Sequence, residues 1–362
     1  MDYSQIFLSD NFFEDNPFSW KKDKKHSIFV KCFDKLSSHH YKNCEKYKNI
    51  MDAFDAFKKP INKLDQFPYL PVNVFKDDNY ITGSKKNIFK TLHSSGTSGN
   101  NFTKIFLSKE NAALQAKVLA KIVSSFIGSQ RLPMLAIDSI DNYKKNTIFS
   151  ARSAAIRGFS IFAKNISFAL KSDSSLDIQE IKNFFKKNKN KKIIIFGFTF
   201  SVYKDFLLAL SKKKIKINFS SGVLIHGGGW KKMLEKKISN STFRKMIKDI
   251  LNISVVHNYY GLVEQTGSIY MECEEGHLHS SNFSEIFIRN RILGKSVYRE
   301  KGIVQLLSPL ALSYPGHNII TEDVGEILGE DDCPCGRYGK YFKIHGRLEK
   351  AEIRGCSDVN VG

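Results

Sequence analysis

The stretch IIIFGFTFSVYKDFLLAL, residues 193–210, decides the fold class of this chain. Its first half is a continuous apolar run, typical of a strand that is buried on both faces, and its second half has the spacing of a helix. Lys204 and Asp205 interrupt the stretch, so it cannot be a membrane-spanning helix of about 20 apolar residues. We therefore predict a buried strand that leads into a helix.

Short strand-like runs alternate with amphipathic helical runs on both sides of this stretch. Further strands are predicted at residues 134–137, 223–225 and 253–257, and further helices after Leu107 and at residues 178–185 and 243–251. Parallel strands need long crossover connections, which helices supply when the two kinds of element alternate. The sequence therefore predicts an α/β fold with helices packed on mostly parallel sheets.

Two other parts of the chain have a different pattern. Residues 1–60 have apolar side chains at helical spacing, and the prolines at 60, 68 and 71 then predict an extended connector. After Gly267, short extended segments separated by turns predict a β-rich subdomain; they are residues 285–288, 302–307 and 323–328. We divide the chain into an N-terminal helical segment (1–60), a core (61–345) whose β-rich part begins at about residue 267, and a hinge with a short tail (346–362).

The chain carries a formal net charge of +20, from 56 basic and 36 acidic residues. Such an excess is compatible with nucleic acid, a membrane surface or an acidic substrate, but most of it is lysine in short runs such as 186–192 and 212–214. No arginine-rich stripe or RNA-binding motif accompanies it, so we interpret these lysines as a solvated face and expect no nucleic-acid partner. The N-terminus lacks a targeting pattern and no apolar run could span a membrane, so we expect a cytoplasmic protein.

A phosphate-binding composition is found in Ser94-Ser-Gly-Thr-Ser-Gly99, with Lys104 close behind. Two glycines let the backbone wrap round an anion, hydroxyl and amide groups donate hydrogen bonds, and a lysine neutralises phosphate charge. The segment lacks the spacing of a P-loop. By itself it is interpreted equally well as a serine-rich turn.

Two predicted strands end in residues that suit a nucleotide. Residues 223–229, Val-Leu-Ile-His-Gly-Gly-Gly, form an apolar strand whose end offers bare backbone to a flat ring such as adenine. Residues 255–265 run through Tyr260 and Gly261 to Glu264, a carboxylate that could bind Mg²⁺ bridged to phosphate oxygens. Tyr260 as a core residue and Glu264 as a solvated helix start are the alternative interpretations.

Several motifs occur in the order found in the acyl-adenylate-forming superfamily. They are the serine-glycine loop, Tyr260-Gly-Leu-Val-Glu-Gln-Thr-Gly267, Thr321-Glu-Asp323 and Gly346-Arg347. Together with His226-Gly-Gly-Gly-Trp-Lys231, Cys333-Pro-Cys-Gly-Arg337 and Arg354-Gly-Cys-Ser-Asp358, they make the chain resemble the acyl-protein synthetases of the LuxE type, with phenylacetate-CoA ligases as next neighbours. The resemblance spans roughly residues 35–358. It implies the large α/β domain of adenylate-forming enzymes, with the small C-terminal lid domain largely absent.

The resemblance implies ATP and Mg²⁺ as cofactors and a role for each motif residue. The triphosphate would be held by Ser94, Ser95, Gly96, Thr97, Ser98, Gly99 and the catalytic Lys104. The adenine would lie against Gly227, Gly228 and Gly229 and beside Tyr260 and Gly261. Glu264 would bind Mg²⁺ and act in catalysis, Asp323 would bind the ribose hydroxyls, and Arg347 would meet the ribose or a phosphate. The superfamily usually has Thr-Gly-Asp where this chain has Thr321-Glu322-Asp323, a notable departure from the pattern.

A metal site is predicted from the cysteines at 333 and 335, which form a tight knuckle, and from Cys273 earlier in the chain. With a histidine they supply the four soft ligands of a closed tetrahedral zinc site. Similar cysteines and a histidine bind zinc in some phenylacetate-CoA-ligase-like proteins. His279 is the preferred fourth ligand because it occupies the Gly-x-Leu-His-like position of those relatives, and His277 is its rival. Reduced thiols without a metal are the alternative.

The resemblance also implies a function, the ATP-dependent activation of a carboxylic acid, with a fatty acid as the expected substrate. LuxE-type enzymes pass the acyl group to a cysteine near their own C-terminus and then to an acyl reductase partner. Cys356, which lies beside Arg354, is the candidate for this catalytic cysteine. The alternative is that Cys356 is an inert thiol. Fifteen residues follow Arg347, where CoA ligases continue into a lid domain, so a protein thiol is favoured over CoA as acceptor.

Two rival functions remain. One is a CoA or amide-forming ligase of a surface-polysaccharide or secondary-metabolite pathway. The other is a basic nucleic-acid-binding or interaction protein that retains a dead nucleotide fold.

Overall fold

The computed structural model describes residues 12–58, 60–94, 102–144, 151–229 and 238–348. The α-helices of this part are α1 (Lys22–Asn43), α2 (Glu45–Ala53), α3 (Val74–Asp77), α4 (Lys109–Ile127), α5 (Ile140–Lys144), α6 (Ala151–Phe159), α7 (Ile178–Lys187), α8 (Thr199–Ser201), α9 (Ala209–Lys212) and α10 (Asn240–Leu251). A π-helix, Val202–Leu208, joins α8 to α9.

The strands are β1 (Leu70–Pro71), β2 (Ile88–His93), β3 (Lys104–Ser108), β4 (Leu132–Ser139), β5 (Ala163–Leu170), β6 (Ile193–Phe198), β7 (Gly222–Gly227), β8 (Val255–Tyr260), β9 (Tyr270–Glu272), β10 (Leu278–His279), β11 (Glu285–Arg289), β12 (Ser296–Val297), β13 (Gly302–Leu307), β14 (Asn318–Glu330) and β15 (Lys340–Arg347). Within the described residues, no helix has the length and apolar character needed to cross a membrane.

The predicted N-terminal helices are confirmed as α1 and α2. Phe29, Phe33 and Leu36 are spaced by three or four positions, and all three are buried on one face of α1. The two helices are separated at Cys44, whose backbone is extended (φ −137°, ψ 97°). The apolar spacing therefore indicated both the helices and the face that they bury.

The chain divides into two compact units. Unit 1 comprises the chain up to Phe126 together with the segment that begins at Gly261, and unit 2 spans Ile127–Tyr260. Helices α1 and α2 thus belong to the same unit as the β-rich part of the chain.

Unit 2 is built on a parallel sheet with the strand order β8-β7-β6-β4-β5. Every residue of β6 and β7 is buried, as expected for parallel strands covered on both faces. The core of this unit includes Leu135, Ile195, Phe206 and Phe243, and burial of each such side chain contributes about 1.5–3 kcal/mol. The predicted parallel sheet with packed helices is confirmed. Because its strands are parallel, the ends of β6, β7 and β8 lie along one edge.

Unit 1 contains an antiparallel sheet with the order β12-β11-β13-β14-β15-β10-β9, to which β1 adds in parallel beside β14. β2 and β3 form a separate antiparallel hairpin. From Thr321 onward, buried and half-buried residues alternate along β14, because one face of the strand is less covered than the other. The predicted β-rich subdomain is confirmed.

Some element boundaries differ from the prediction. The strand predicted at 253–257 begins later, at Val255, because Asn252 ends α10 in a left-handed conformation (φ 53°) and the chain must turn first. The helix predicted from residue 202 begins as a π-helix. β5 was not predicted; it lies at the edge of its sheet, and the exposed Lys164 and Asn165 break the apolar pattern there.

Candidate functional site

Glu264 lies in a short 3₁₀ turn, Val263–Gln265, of unit 1 and is 6% exposed. The Thr103 hydroxyl donates a hydrogen bond to Glu264 Oε1 over 2.9 Å. The backbone carbonyl of Glu264 accepts a 2.8 Å hydrogen bond from the Tyr314 hydroxyl. Glu264 is therefore held at its carboxylate by Thr103 and at its backbone by Tyr314, and together these contacts fix the direction of the side chain.

The two ends of the serine-glycine loop meet at Thr103. The backbone N–H of Ser94 donates to the Thr103 carbonyl (3.1 Å), and the backbone N–H of Thr103 donates to Ser94 Oγ (3.0 Å). These bonds continue the β2–β3 hairpin by one pair beyond His93 and Lys104. The hairpin therefore brings both ends of the loop beside Glu264. Ser95, Gly96, Thr97, Ser98 and Gly99 lie outside the described residues.

Burial raises the pKa of the Glu264 carboxyl group, since desolvation disfavours its charged form. A hydrogen bond from the backbone of Glu264 itself, the hydrogen bond from Thr103 and the positive charges of Lys76 and Arg347 lower this pKa, but by less than burial raises it. A hard cation beside the carboxylate would reverse the balance, because carboxylate oxygens are the ligands that Mg²⁺ prefers. The Glu264 carboxylate therefore has the chemistry of a magnesium ligand.

Asp323 and Arg347 face each other across the β14–β15 pair. Arg347 Nε lies 3.3 Å from Asp323 Oδ1, and the side chains are 28% and 10% exposed. The Asp323 N–H donates to the Thr321 hydroxyl oxygen over 3.0 Å, and that hydroxyl donates to the Val304 carbonyl over 2.9 Å. Asp323 therefore stands on a fixed strand, with its largely buried carboxylate beside Arg347.

The departure at residue 322 leaves Asp323 in place. Glu322 Oε2 lies 3.9 Å from Lys76 Nζ, with both side chains about one-quarter exposed. Successive side chains of a strand point to opposite faces, so a side chain at 322 does not occupy the face of Asp323. The strand can therefore carry glutamate at 322, where the superfamily usually has glycine.

The three glycines at the end of β7 belong to unit 2. A Cβ atom at Gly227 would lie 2.6 Å from the Tyr259 ring, and one at Gly228 would overlap the Phe198 ring. Gly228 and Gly229 have φ angles of +82° and +63°, which favour glycine. The first two glycines thus make room for rings of the protein itself, and of these three glycines Gly229 alone has no atom within 4 Å of its Cβ position.

The remaining residues that were predicted to bind the nucleotide lie at or next to the ends of strands. Tyr260 is the last residue of β8 in unit 2 and is half-buried, whereas Gly261 begins the second segment of unit 1. Lys104 begins β3, and its Nζ lies 6.0 Å from the centre of the Phe102 ring. Glu264, Asp323, Arg347 and Lys104 are thus in unit 1, and the glycine turn and Tyr260 are in unit 2. Cys356 lies outside the described residues.

A separate cluster of soft ligands lies in unit 1. The side-chain ligand atoms of Cys273, His279, Cys333 and Cys335 lie within 4.8 Å of one another. The Cys273 and Cys333 sulfur atoms are 4.0 Å apart, and His279 Nε2 is 3.4 Å from Cys335 Sγ. Tetrahedral zinc with bonds of about 2.3 Å places its sulfur ligands about 3.8 Å apart. The cluster therefore has the composition and spacing of a structural zinc site.

The rival ligand His277 is also close, because its Nδ1 lies 3.4 Å from Cys333 Sγ. It is half-buried, whereas His279 is fully buried. Burial raises the pKa of the Cys273 thiol, and it raises that of Cys333 to about 12. A bound metal would favour the thiolates that burial disfavours.

Sequence reasoning missed Thr103, Tyr314 and Lys76 as neighbours of Glu264. Thr103 lies four residues after the loop and was noted with it, but nothing local indicates that its hydroxyl contacts Glu264. Tyr314 and Lys76 are far from Glu264 in sequence, and no local pattern connects them.

Comparison with known proteins gives a consistent assignment. The family described as acyl-protein synthetase, LuxE, matches residues 3–361. A long-chain-fatty-acid–luciferin-component ligase of Photorhabdus luminescens is 29% identical over 92 residues, which are 25% of this chain and 78% of that protein.

Solved structures of 2-hydroxyisobutyryl-CoA ligase are similar over almost the whole chain. The open conformation in complex with 2-HIB-AMP and CoA has a TM-score of 0.68 at 13% identity, covering 96% of this chain and 80% of that one. The postadenylation state in complex with R3-HIB-AMP has the same TM-score and identity, covering 96% and 72%. The fold is therefore that of the adenylate-forming ligases, and with the family match over residues 3–361 the chain belongs to the LuxE acyl-protein synthetase family.

Proposed function

We propose that this acid-activating adenylating ligase takes a long-chain fatty acid as its substrate and transfers the acyl group to a protein cysteine. The fatty acid is supported by the similarity to the Photorhabdus luminescens ligase, whose name states a long-chain fatty acid and a luciferin component. The thiol acceptor is supported by the family, which is described as acyl-protein synthetase. Cys356 is the acceptor that we propose within this chain.

The observation that carries the proposal is the hydrogen bond between Thr103 and Glu264. It joins the end of a loop with phosphate-binding composition to a buried carboxylate suited to Mg²⁺. Asp323, on a strand of the same unit, has a carboxylate beside Arg347 that can accept hydrogen bonds from ribose hydroxyls. These groups match the triphosphate, metal and ribose parts of Mg-ATP.

The proposed chemistry has two steps. A carboxylate oxygen of the acid attacks the α-phosphorus of ATP, and the bond from that phosphorus to the pyrophosphate oxygen breaks. Lys104 and the loop amides would stabilise the charge that develops on pyrophosphate. A cysteine thiolate then attacks the acyl carbon, and the bond to AMP breaks to leave a thioester.

The acceptor can be tested by measuring the intact mass of the protein after incubation with ATP and myristic acid. We expect the mass to rise by one acyl group, and hydroxylamine to reverse the change because it cleaves thioesters. Cys356→Ser should abolish the adduct. Cys32→Ser, which alters a buried thiol of α1, should keep it.

Two outcomes would contradict this part of the proposal. An adduct retained by Cys356→Ser would exclude this cysteine as the acceptor. Acyl-CoA formed on addition of CoA, with no acyl-protein, would identify a CoA ligase instead.

We also propose that Cys273, His279, Cys333 and Cys335 bind a structural zinc ion. The support is their spacing, together with the backbone N–H of Cys273, which donates to the His277 carbonyl over 2.8 Å and holds the turn between the first two ligands. Bound zinc would tie β9, β10 and the turn after β14 together and would hold the cysteines as thiolates.

Elemental analysis of the purified protein tests this site without an activity assay. We expect stoichiometric zinc in the wild type and in Cys44→Ser, which removes a buried thiol outside the cluster, and no zinc in Cys333→Ser. A strong chelator should lower the melting temperature. Zinc-free wild-type protein that is insensitive to chelator would refute the proposal.

A further inference from the structure

A buried pair of polar side chains lies beside the glycine turn of unit 2. Thr199 is the first residue after β6, and His226 is the last residue but one of β7. Each is 4% exposed. Thr199 Oγ1 lies 2.8 Å from His226 Nδ1 and 3.1 Å from the carbonyl oxygen of Gly227, so one hydroxyl connects an imidazole ring to the last carbonyl of the strand.

Proton counting fixes the direction of these hydrogen bonds. A hydroxyl has one hydrogen, and a carbonyl can only accept, so the Thr199 hydroxyl donates to Gly227. His226 Nδ1 must then carry a hydrogen and donate to Thr199 Oγ1. His226 is therefore in the Nδ1–H tautomer.

The other ring nitrogen supports the same tautomer. His226 Nε2 is buried and has no hydrogen-bond partner among the described residues. A hydrogen placed there would be a buried donor without an acceptor, which is unfavourable. The Nδ1–H tautomer avoids that cost, because Nε2 then carries only a lone pair.

The imidazole ring is held in place and is neutral. The Phe243 ring of α10 packs against it edge to face, with the ring centres 5.0 Å apart. Burial, together with the nearby Arg244 and His257, lowers the pKa of His226 to about 3. The imidazole ring is therefore neutral, with a hydrogen on one of its two nitrogens, at neutral pH.

Gly227 is the point at which the chain leaves the sheet. The next two residues, Gly228 and Gly229, have φ angles of +82° and +63°, so the orientation of the Gly227 peptide sets the direction of the turn. The Thr199 hydroxyl restrains that peptide through its carbonyl oxygen.

We propose that Thr199 and His226 are positioning residues that orient the glycine turn for the nucleotide. His226 directs the single Thr199 hydrogen toward Gly227, and the restrained Gly227 carbonyl sets the backbone that meets adenine. The inference rests on the proposed nucleotide site. It goes further by assigning a role to two side chains that would not touch ATP themselves.

Steady-state kinetics of the adenylation step test the role of the hydroxyl. Thr199→Val should raise the KM for ATP about fivefold, the equivalent of ~1 kcal/mol for one lost hydrogen bond, and should leave kcat and the KM for the acid nearly unchanged. Thr199→Ser should restore the wild-type KM, because it restores the hydroxyl. The matched control is Thr242→Val at the exposed start of α10, which should match the wild type.

An unchanged KM for ATP in a folded Thr199→Val protein would overturn the positioning role. Failure of Thr199→Ser to restore the KM would overturn it as well, since a hydroxyl would then not be the effective group. A purely structural role would change kcat and both KM values together or only the melting temperature.

Nitrogen-15 NMR of histidine-labelled protein tests the hydrogen bonds independently of activity. The signals of His226 are assigned by their loss in His226→Asn. We expect a neutral Nδ1–H tautomer between pH 5 and 8 in the wild type and in Thr199→Ser, and loss of this single tautomer in Thr199→Val.

An Nε2–H tautomer in the wild type would overturn the inference, whatever the enzymatic activity. A wild-type protein with the Nδ1–H tautomer but without ATP-dependent activity would refute the proposed nucleotide role and leave the hydrogen-bond pattern intact. The two failures are thus distinguishable.

Discussion

At the scale of single residues, Glu264 is a buried carboxylate whose hydrogen bonds do not offset the cost of burial. Thr103 donates one hydrogen bond to its carboxylate, and burial still raises the pKa of the group. A folded-state pKa above the unfolded value of about 4.3 means that the ionised form destabilises the folded protein. Such strain is typical of a residue that is kept for binding a ligand rather than for stability.

The first prediction concerns the stability of Glu264→Gln. We expect this variant to have a free energy of unfolding higher than that of the wild type at neutral pH by roughly 1 kcal/mol, because it removes a buried charge. The stabilising contribution of Glu264 is present below its unfolded pKa and is lost as the pH rises through its folded pKa. The difference should therefore vanish in acid.

Urea unfolding at several pH values measures this difference. Glu326→Gln, which alters a more accessible carboxylate on β14, is the control and should show no gain. A loss of stability in Glu264→Gln at neutral pH would mean that the folded protein stabilises the charge.

The second prediction concerns the pH dependence of activity in Thr103→Val. The hydrogen bond from Thr103 lowers the pKa of Glu264, so its removal should raise that pKa further. If activity needs ionised Glu264, the acidic limb of the pH–rate profile should move to higher pH. Thr103→Ser, which keeps the hydroxyl, should retain the wild-type profile. An unshifted acidic limb in Thr103→Val would mean that the Thr103 hydroxyl does not influence the pKa of Glu264.

Sequence could predict the importance of Glu264 but not its environment. The Tyr-Gly-x-x-Glu segment is local, so the residue was identified from its neighbours in the chain. The contacts with Thr103 and Tyr314 join residues 161 and 50 positions away. Pairing at such distances depends on the sheet topology, which local patterns do not specify.

At the scale of elements, the turn after β7 depends on glycine for two different reasons. Gly228 needs both a positive φ angle and space for the Phe198 ring, whereas Gly229 needs only the positive φ angle. The sequence predicted a glycine-rich strand end and assigned its open backbone to adenine. The packing of Tyr259 and Phe198 against the first two glycines could not be predicted, because it depends on how neighbouring strands align.

The third prediction compares alanine at these two positions. Gly229→Ala should cost roughly 1–2 kcal/mol of stability, the penalty for a side chain in a left-handed conformation. Gly228→Ala should cost about 3 kcal/mol or more, because its Cβ would also collide with Phe198. Urea midpoints measure both, and equal losses would mean that the ring does not fill this space.

Element prediction succeeded best where burial was uniform. β6 and β7 are buried along their whole length, and their continuous apolar runs were identified. β5 lies at the edge of its sheet and β15 has polar exposed positions, so neither has a clear apolar pattern. The boundary of β8 depended on the left-handed Asn252, which no periodicity indicates.

At the scale of the whole molecule, the predicted nucleotide residues are divided between two compact units. Unit 1 holds Glu264, Asp323, Arg347 and Lys104, and unit 2 holds the glycine turn and Tyr260. The order of these motifs along the chain was sufficient to identify the superfamily. The division of the fold into a parallel sheet and an antiparallel sheet followed from the change of pattern after Gly267.

The central claim is that the chain activates a carboxylic acid by forming an acyl-adenylate, and carboxylate-dependent ATP–pyrophosphate exchange tests it most directly. We predict exchange of labelled pyrophosphate into ATP with a saturated fatty acid, none without an acid, and a loss of at least about tenfold in Glu264→Gln at neutral pH. A folded wild-type protein that catalyses no exchange with any member of a panel of fatty and aromatic acids would contradict the claim.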